Sequence, residues 1–131
     1  MRPGKIEYYL DIAAQVAKRS TCLRRQYGAV IVKDDQIVGT GYNGSARGIT
    51  NCCDRGTCQR EVMSIPPGER YELCESVHAE VSACLAAGRE RCIGGALFLA
   101  GWQGDQRLDS PKPCAMCARV IRNCGIEEVI C

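Results

Sequence analysis

One histidine and eleven cysteines in 131 residues constrain this chain more than any other feature. An odd number of cysteines cannot all pair within one chain. The N-terminus, Met1-Arg2-Pro3-Gly4-Lys5 leading into Ile6-Glu7-Tyr8, has no apolar h-region and does not read as a signal peptide. No apolar run approaches the roughly 20 residues that a membrane span requires. The reading is therefore a cytoplasmic protein whose thiols stay reduced, with cysteine clusters serving as metal ligands or core thiols rather than disulfides. Any metal site that needs an imidazole has to use His78.

The rest of the composition is ordinary: 46% apolar and 24% charged residues fit a globular protein, and the length fits one domain over residues 1–131. A net charge of +2 creates no global field for a polyanion. Only 5% of residues are aromatic, which also weighs against a nucleic-acid substrate, since such substrates need a basic groove and stacking rings.

Ile6, Tyr9, Leu10, Ala13 and Ala17 fall at helical spacing and predict an amphipathic helix over 6–18. Two short runs, 28–33 and 36–41, flank Asp34-Asp35 and predict a hairpin, with Asn43-Gly44 closing its second strand. Residues 44–75 show no sustained period and carry Cys52, Cys53, Cys58 and Cys74. A loop of that length needs something to tie it down, and a metal is one such tie. A helix is predicted over 77–87, with Gly88 as its C-cap. The continuous apolar run 96–100 predicts a strand buried on both faces. A polar loop over 101–112 leads to Pro113, a helix from Cys114 to about Cys124 stopped by Gly125, and a strand over 127–131. There is no repeat and no low-complexity tract. Helix, hairpin, then strands alternating with helices predict one mixed sheet with helices on both faces, a three-layer α/β/α domain. The last two strands, joined by a helix, should run parallel.

Cys114 and Cys117 stand three residues apart in the first turn of the helix that Pro113 opens, so both sulfurs point to one side. A helix N-terminus favours thiolates, and two thiolates one turn apart make half of a tetrahedral zinc site. Alone, Cys-x-x-Cys is equally the pattern of a redox pair or of two buried thiols. Joined to the sole histidine on another helix start, it points to a catalytic metal. Three protein ligands leave one position for water, whereas structural zinc sites are closed. Zinc lowers the pKa of water toward neutrality. Glu80, two residues beyond His78, is badly placed as a fourth ligand and better placed to carry protons.

His78-Ala79-Glu80 followed by Pro113-Cys114-Ala115-Met116-Cys117 resembles the signature of the zinc-dependent nucleobase deaminases. The resemblance extends over residues 8–131. Cys22-Leu23-Arg24-Arg25, the strand 28–33, Gly41-Tyr42-Asn43-Gly44 and Glu72-Leu73-Cys74 are similar to the deoxycytidylate (dCMP) deaminase branch. It implies a cytidine-deaminase-like fold with zinc held by His78, Cys114 and Cys117 and with Glu80 as the proton carrier. The implied reaction is attack of activated water on C4 of a cytosine nucleotide, taking dCMP to dUMP with release of ammonia. It further implies that Asn43 contacts the sugar and that Ser45, Arg24 and Arg47 help to hold a 5′-phosphate. Asn43 also reads as a turn residue tolerating positive φ. Other readings are a deaminase of another cytosine nucleoside, nucleotide or modified base, or a zinc-binding protein of the same fold without turnover. The intact Glu80 speaks against the last.

Some members of the branch carry a second, structural zinc, with ligands at positions matching Cys22 and Cys52 (or its neighbour Cys53). Cys58 and Cys74 would complete a Cys₄ site, with buried thiols as the plain alternative. Cys84, Cys92 and Cys124 read as core or surface thiols. The chain departs from the family at Ser82, where asparagine is usual, and in the long polar loop 101–107. Trp102 there either stacks on a base or covers a core edge. The sequence also stops at Cys131, where the family continues with a strand and a helix, so either the sheet is smaller than usual or its exposed edge is covered by another subunit, and a homo-oligomer is expected.

Overall fold

A computed structural model, describing residues 1–70 and 73–131, sets the apolar runs of the sequence side by side in one five-stranded sheet. The elements begin α1 (Lys5–Ala17), β1 (Gln26–Lys33), β2 (Gln36–Tyr42), β3 (Gly44–Ser45), α2 (Cys52–Arg55), α3 (Gln59–Val62) and β4 (Ser76–Val77). They continue α4 (Ala79–Ala87), α5 (Arg89–Cys92), β5 (Ala96–Gln103), β6 (Gln106–Arg107), α6 (Ala115–Asn123) and β7 (Glu128–Ile130).

β1 and β2 form the expected antiparallel hairpin. Asp34 and Asp35 take φ values of 52° and 59°, the left-handed pair that a type I′ turn demands and that aspartate tolerates. β5 pairs antiparallel with the other edge of β1. Along the far edge of β5, β7 runs parallel to residues 96–98, as the intervening helix requires. β6 pairs antiparallel with residues 102–103, so the predicted loop 101–112 in fact opens with a hairpin. Two paired residues per strand are too few to show a period.

Alternation along β1 sends Ala29 and Ile31 to one face and Val30 and Val32 to the other. Val30, Val32, Phe98 and Ala100 pack against Tyr9, Ala13 and Ala14 of α1. On the opposite face Ala29, Ile31, Leu97 and Leu99 meet Ala79, Ala83 and Ala87 of α4, Cys92 of α5 and Ile121 of α6. The three layers are those the sequence predicts. Small residues set a close approach: a Cβ on Gly41 would collide with the backbone nitrogen of Ala83, and one on Gly39 would stand 2.7 Å from the Ala83 carbonyl oxygen. This backbone-to-backbone seat fixes α4, and with it the start of the helix where His78 lies.

Two helix starts differ from expectation. Residues 76–77 are extended and bridge to β3, so α4 begins at Ala79 with His78 as its N-cap. α6 begins at Ala115, with Cys114 rather than Pro113 at the boundary; the Cys114 sulfur accepts from the Cys117 N–H at 3.4 Å. Within the stretch 44–75, α2 and α3 are single turns, too short to register as periodicity. Arg60, buried on α3, donates to the carbonyls of Pro66 at 2.8 Å and Glu69 at 2.7 Å, a tie the sequence reading did not foresee. Trp102 covers a core edge: its Nε1 donates to Ala14 O at 2.8 Å, and the Lys18 ammonium lies 5.1 Å from its ring centroid. That is the α1 face of the sheet, opposite α4 and α6. Glu72, part of one segment of the resemblance, lies outside the described residues.

Candidate metal centre

The N-terminal ends of α4 and α6 lie side by side. His78 caps the first and Cys114 the second, while Cys117 sits one turn inside α6. His78 Nδ1 stands 3.2 Å from the Cys117 sulfur and 3.6 Å from the Cys114 sulfur, and all three donor atoms lie within 4.8 Å of one another. A tetrahedral zinc with Zn–N of about 2.0–2.1 Å and Zn–S of about 2.3 Å places its nitrogen and sulfur donors about 3.5 Å apart. The three residues therefore fit zinc by type and spacing.

Glu80 follows within the first turn of α4 and is 5% exposed. Its carboxylate lies against the Cys117 thiol, and among the described residues it makes no ion pair. It does not join the three-donor group, which leaves it free of ligation and close to it. Burial pushes the Cys117 thiol well above its ordinary range, and the Glu80 and Cys114 charges push the same way. Desolvation thus works against the thiolate that a helix start favours. A buried thiol of this kind yields its proton to a strongly bound cation. Cys114 is exposed and His78 half-buried, so the group opens to solvent on one side.

The β3–β4 bridge brings the Asn43–Ser45 segment to this place. Gly44 faces Val77 and Ser45 faces Ser76, two residues before the histidine. Asn43 is buried and used by the fold: Oδ1 accepts from Ser20 Oγ at 2.6 Å and Tyr27 N–H at 2.8 Å, and Nδ2 donates to Arg25 O at 2.9 Å. Its φ is not positive, so the turn-residue reading fails. Ser45 Oγ is buried and, among the described residues, has no hydrogen-bond partner. Arg24 is exposed and paired with Glu61 at 3.4 Å; Arg47 is exposed two residues beyond Ser45.

The second set of cysteines is only partly assembled. Cys52 and Cys58 are buried, Cys22 and Cys74 half-buried and Cys53 exposed, which separates Cys52 from its neighbour. Burial raises the Cys74 thiol, with charges at Cys22, Cys58 and Cys52 adding to it, so the four are neighbours. No three of them come within 4.8 Å of one another. The structure does assemble a trio that sequence reasoning left without a role: Cys84, Cys92 and Cys124. One signal was available, since Glu80 and Cys84, and Cys117, Ile121 and Cys124, fall at helical spacing on single faces.

A family model for the "cytidine and deoxycytidylate deaminase zinc-binding region" matches residues 3–131. The chain belongs to this family. Within it, the chain is 38% identical to the deoxycytidylate deaminase of Mycobacterium phage D29 over 98% of this chain and 94% of that protein. It is 36% identical to the deoxycytidylate deaminase of Schizosaccharomyces pombe over 98% of this chain, but spans only 37% of that relative's length. Among solved structures, the dCMP deaminase of cyanophage S-TIM5, in complex with dCMP and dUMP, superposes with a TM-score of 0.69 at 27% identity. That match covers 98% of this chain and 81% of the other. The three-layer fold is that of the cytidine-deaminase-like proteins. No helix among the described residues is long and apolar enough to cross a membrane.

Proposed function

We propose that this chain hydrolyses the exocyclic amine of a cytosine nucleotide, converting dCMP and water to dUMP and ammonia. The observation that carries the reading is a buried, unligated Glu80 beside one imidazole and two thiols at zinc-ligand spacing. His78, Cys114 and Cys117 would hold zinc, which when bound would supply a Lewis acid that brings the pKa of water toward neutrality. Glu80 takes up the proton of the attacking water, delivers it to N3 of the ring, and passes a proton to the departing amine. Burial of that carboxylate keeps its proton traffic away from bulk solvent.

Asn43 has one remaining Nδ2–H for a sugar hydroxyl, and its three internal hydrogen bonds hold that group in place. The unpartnered Ser45 Oγ supports a role in binding a polar substrate group, because a buried hydroxyl without a partner is costly unless a ligand satisfies it. Arg47 adds positive charge beyond it, and Arg24 does so once released from Glu61. A spectrophotometric assay of zinc-loaded protein tests the reading, with dCMP compared against deoxycytidine, cytidine and dCTP. Preference for dCMP supports it; zinc-loaded protein inactive on all four overturns it.

A structural zinc that Cys22, Cys52, Cys58 and Cys74 would hold completes the proposal, supported by the influence of the first three on the Cys74 thiol. It would tie the stretch 44–75 to the segment after α1, to which the Cys53 N–H already donates at Thr21 O, 3.1 Å away. A zinc count that falls in Cys22→Ser supports it; an unchanged count overturns it. Reduced thiols fit a cytoplasmic setting. The apolar groove between α6 and β7, walled by Ala118, Ile121, Ile126 and Val129, is where a second copy would cover the sheet edge. A monomer by light scattering would exclude that.

A further inference from the structure

Cys84, Cys92 and Cys124 stand at the other end of the helices that carry the metal centre. Cys84 is in the last turn of α4, Cys92 ends α5, and Cys124 is the C-cap of α6. Their sulfurs all lie within 4.8 Å of one another. From Cys117 to Cys124 the rise along α6 is about 10 Å, so the two groups are separate places. Cys84 and Cys92 are buried in the apolar cluster beneath the sheet, whereas Cys124 is half-buried and gives the surface access to the group.

We propose that these three thiols form a second metal site, selective for a soft d10 cation of the cuprous class. A planar three-sulfur site with metal–sulfur bonds of about 2.3 Å needs sulfurs about 4.0 Å apart, inside the spacing seen. Donor type favours a soft ion: three sulfurs with no histidine or carboxylate in the group select cuprous ion over hard cations. Coordination number separates it from zinc, which takes four ligands and would need a water in an apolar pocket. The helix ends count against it, because α4 and α6 both point their C-termini, the negative ends of their dipoles, at the thiolates that must form there.

Charge is the main obstacle, since three thiolates and one monovalent cation leave two negative charges in a poorly solvated place. Two arginines stand at the rim. Arg91 donates through Nε to Ala87 O at 2.8 Å; burial raises the Cys92 thiol, and the Arg91 charge offsets part of that rise. Arg89 donates through Nε to Asn123 O at 3.1 Å, next to Cys124. Binding exchanges each thiol proton for a sulfur–metal bond and releases the protons to solvent, with no change of oxidation state.

Anaerobic titration of the reduced, zinc-loaded protein with cuprous ion buffered by bicinchoninate tests this. The expected result is one tightly held equivalent with zinc retained, a thiolate-to-copper absorption in the near ultraviolet, and sulfur-only neighbours by X-ray absorption. Cys124→Ser should lose that equivalent and Cys131→Ser should keep it. The same equivalent bound by Cys124→Ser overturns the proposal, as does a disulfide among the three mapped in protein isolated without reductant. Should Cys124→Ser not fold, maleimide labelling of the unaltered protein decides. Copper should shield Cys124, and shielding that falls on Cys22 and Cys74 instead overturns the site. The zinc readings fail independently, because Cys22→Ser alters the zinc count whereas Cys124→Ser does not.

Discussion

Two groups of three donors occupy opposite ends of α4 and α6, and they differ in every property that decides chemistry. The N-terminal group mixes an imidazole with two thiols, leaves Cys114 exposed, and has a buried carboxylate beside it. The C-terminal group is all sulfur, with two of its three members in the core and no carboxylate joining it. Both lie on the same helix faces, so periodicity cannot tell them apart. What separates them is access and a neighbouring buried carboxylate: a site proposed to perform hydrolysis needs room for substrate and a group to carry protons, whereas a site that only holds an ion needs neither. Cys117 at a helix start and Cys84 near a helix end both have thiols pushed up by desolvation.

The sharpest way to break the contrast is to remove Cys117. Cys117→Ala should lose the catalytic zinc and reduce deamination to background, read by metal analysis and turnover; retained zinc with activity would dissolve the distinction between the two ends. Next comes Glu80→Gln, which should lower kcat by about 10²–10⁴-fold while the zinc content stays unchanged. A parallel loss of zinc would make Glu80 a ligand rather than a proton carrier.

Smaller effects probe packing. In zinc-free protein, Cys92→Ala empties a fully buried position and should cost about 1–2 kcal/mol in urea denaturation. Cys114→Ala at its exposed position should change stability by less than about 0.5 kcal/mol. Equal costs would mean that the two ends are packed alike. The smallest effect is a pH dependence. Burial raises the folded-state thiols of Cys84 and Cys92. Their neutral forms therefore contribute stability that is complete below the unfolded thiol pKa of about 8.5 and is lost as pH rises above it. Cys92→Ala should flatten that fall in the urea midpoint between pH 8 and 10, and an unchanged slope would assign the dependence to other groups.

Much of the architecture was legible in the sequence because it rests on local rules. The spacing of Tyr9, Ala13 and Ala17, the Asp34-Asp35 turn, the apolar run ending at Ala100 and the Gly125 stop each depend on a few adjacent residues. The short elements were not legible: β4 holds Val77 extended only because Gly44–Ser45 lies opposite it, and β6 exists because β5 offers a free edge. In the same way, Trp102 was ambiguous until Ala14 supplied the acceptor for its indole N–H.

For the site, sequence alone determined the donor set, since a chain with one histidine offers one imidazole, and Cys-x-x-Cys on a helix start places two sulfurs on one side. It also put Glu80 within a turn of that histidine. Only the tertiary structure decided what is near what. It seated α4 on the glycines of β2, set the ends of α4 and α6 side by side, and turned Asn43 inward to three partners. It also left Ser45 Oγ without one and gathered Cys84, Cys92 and Cys124 from three helices. The physical reason is range: spacing rules act over one or two turns, whereas distances between elements follow from how closely alanine and glycine let backbones pack, which no single segment encodes.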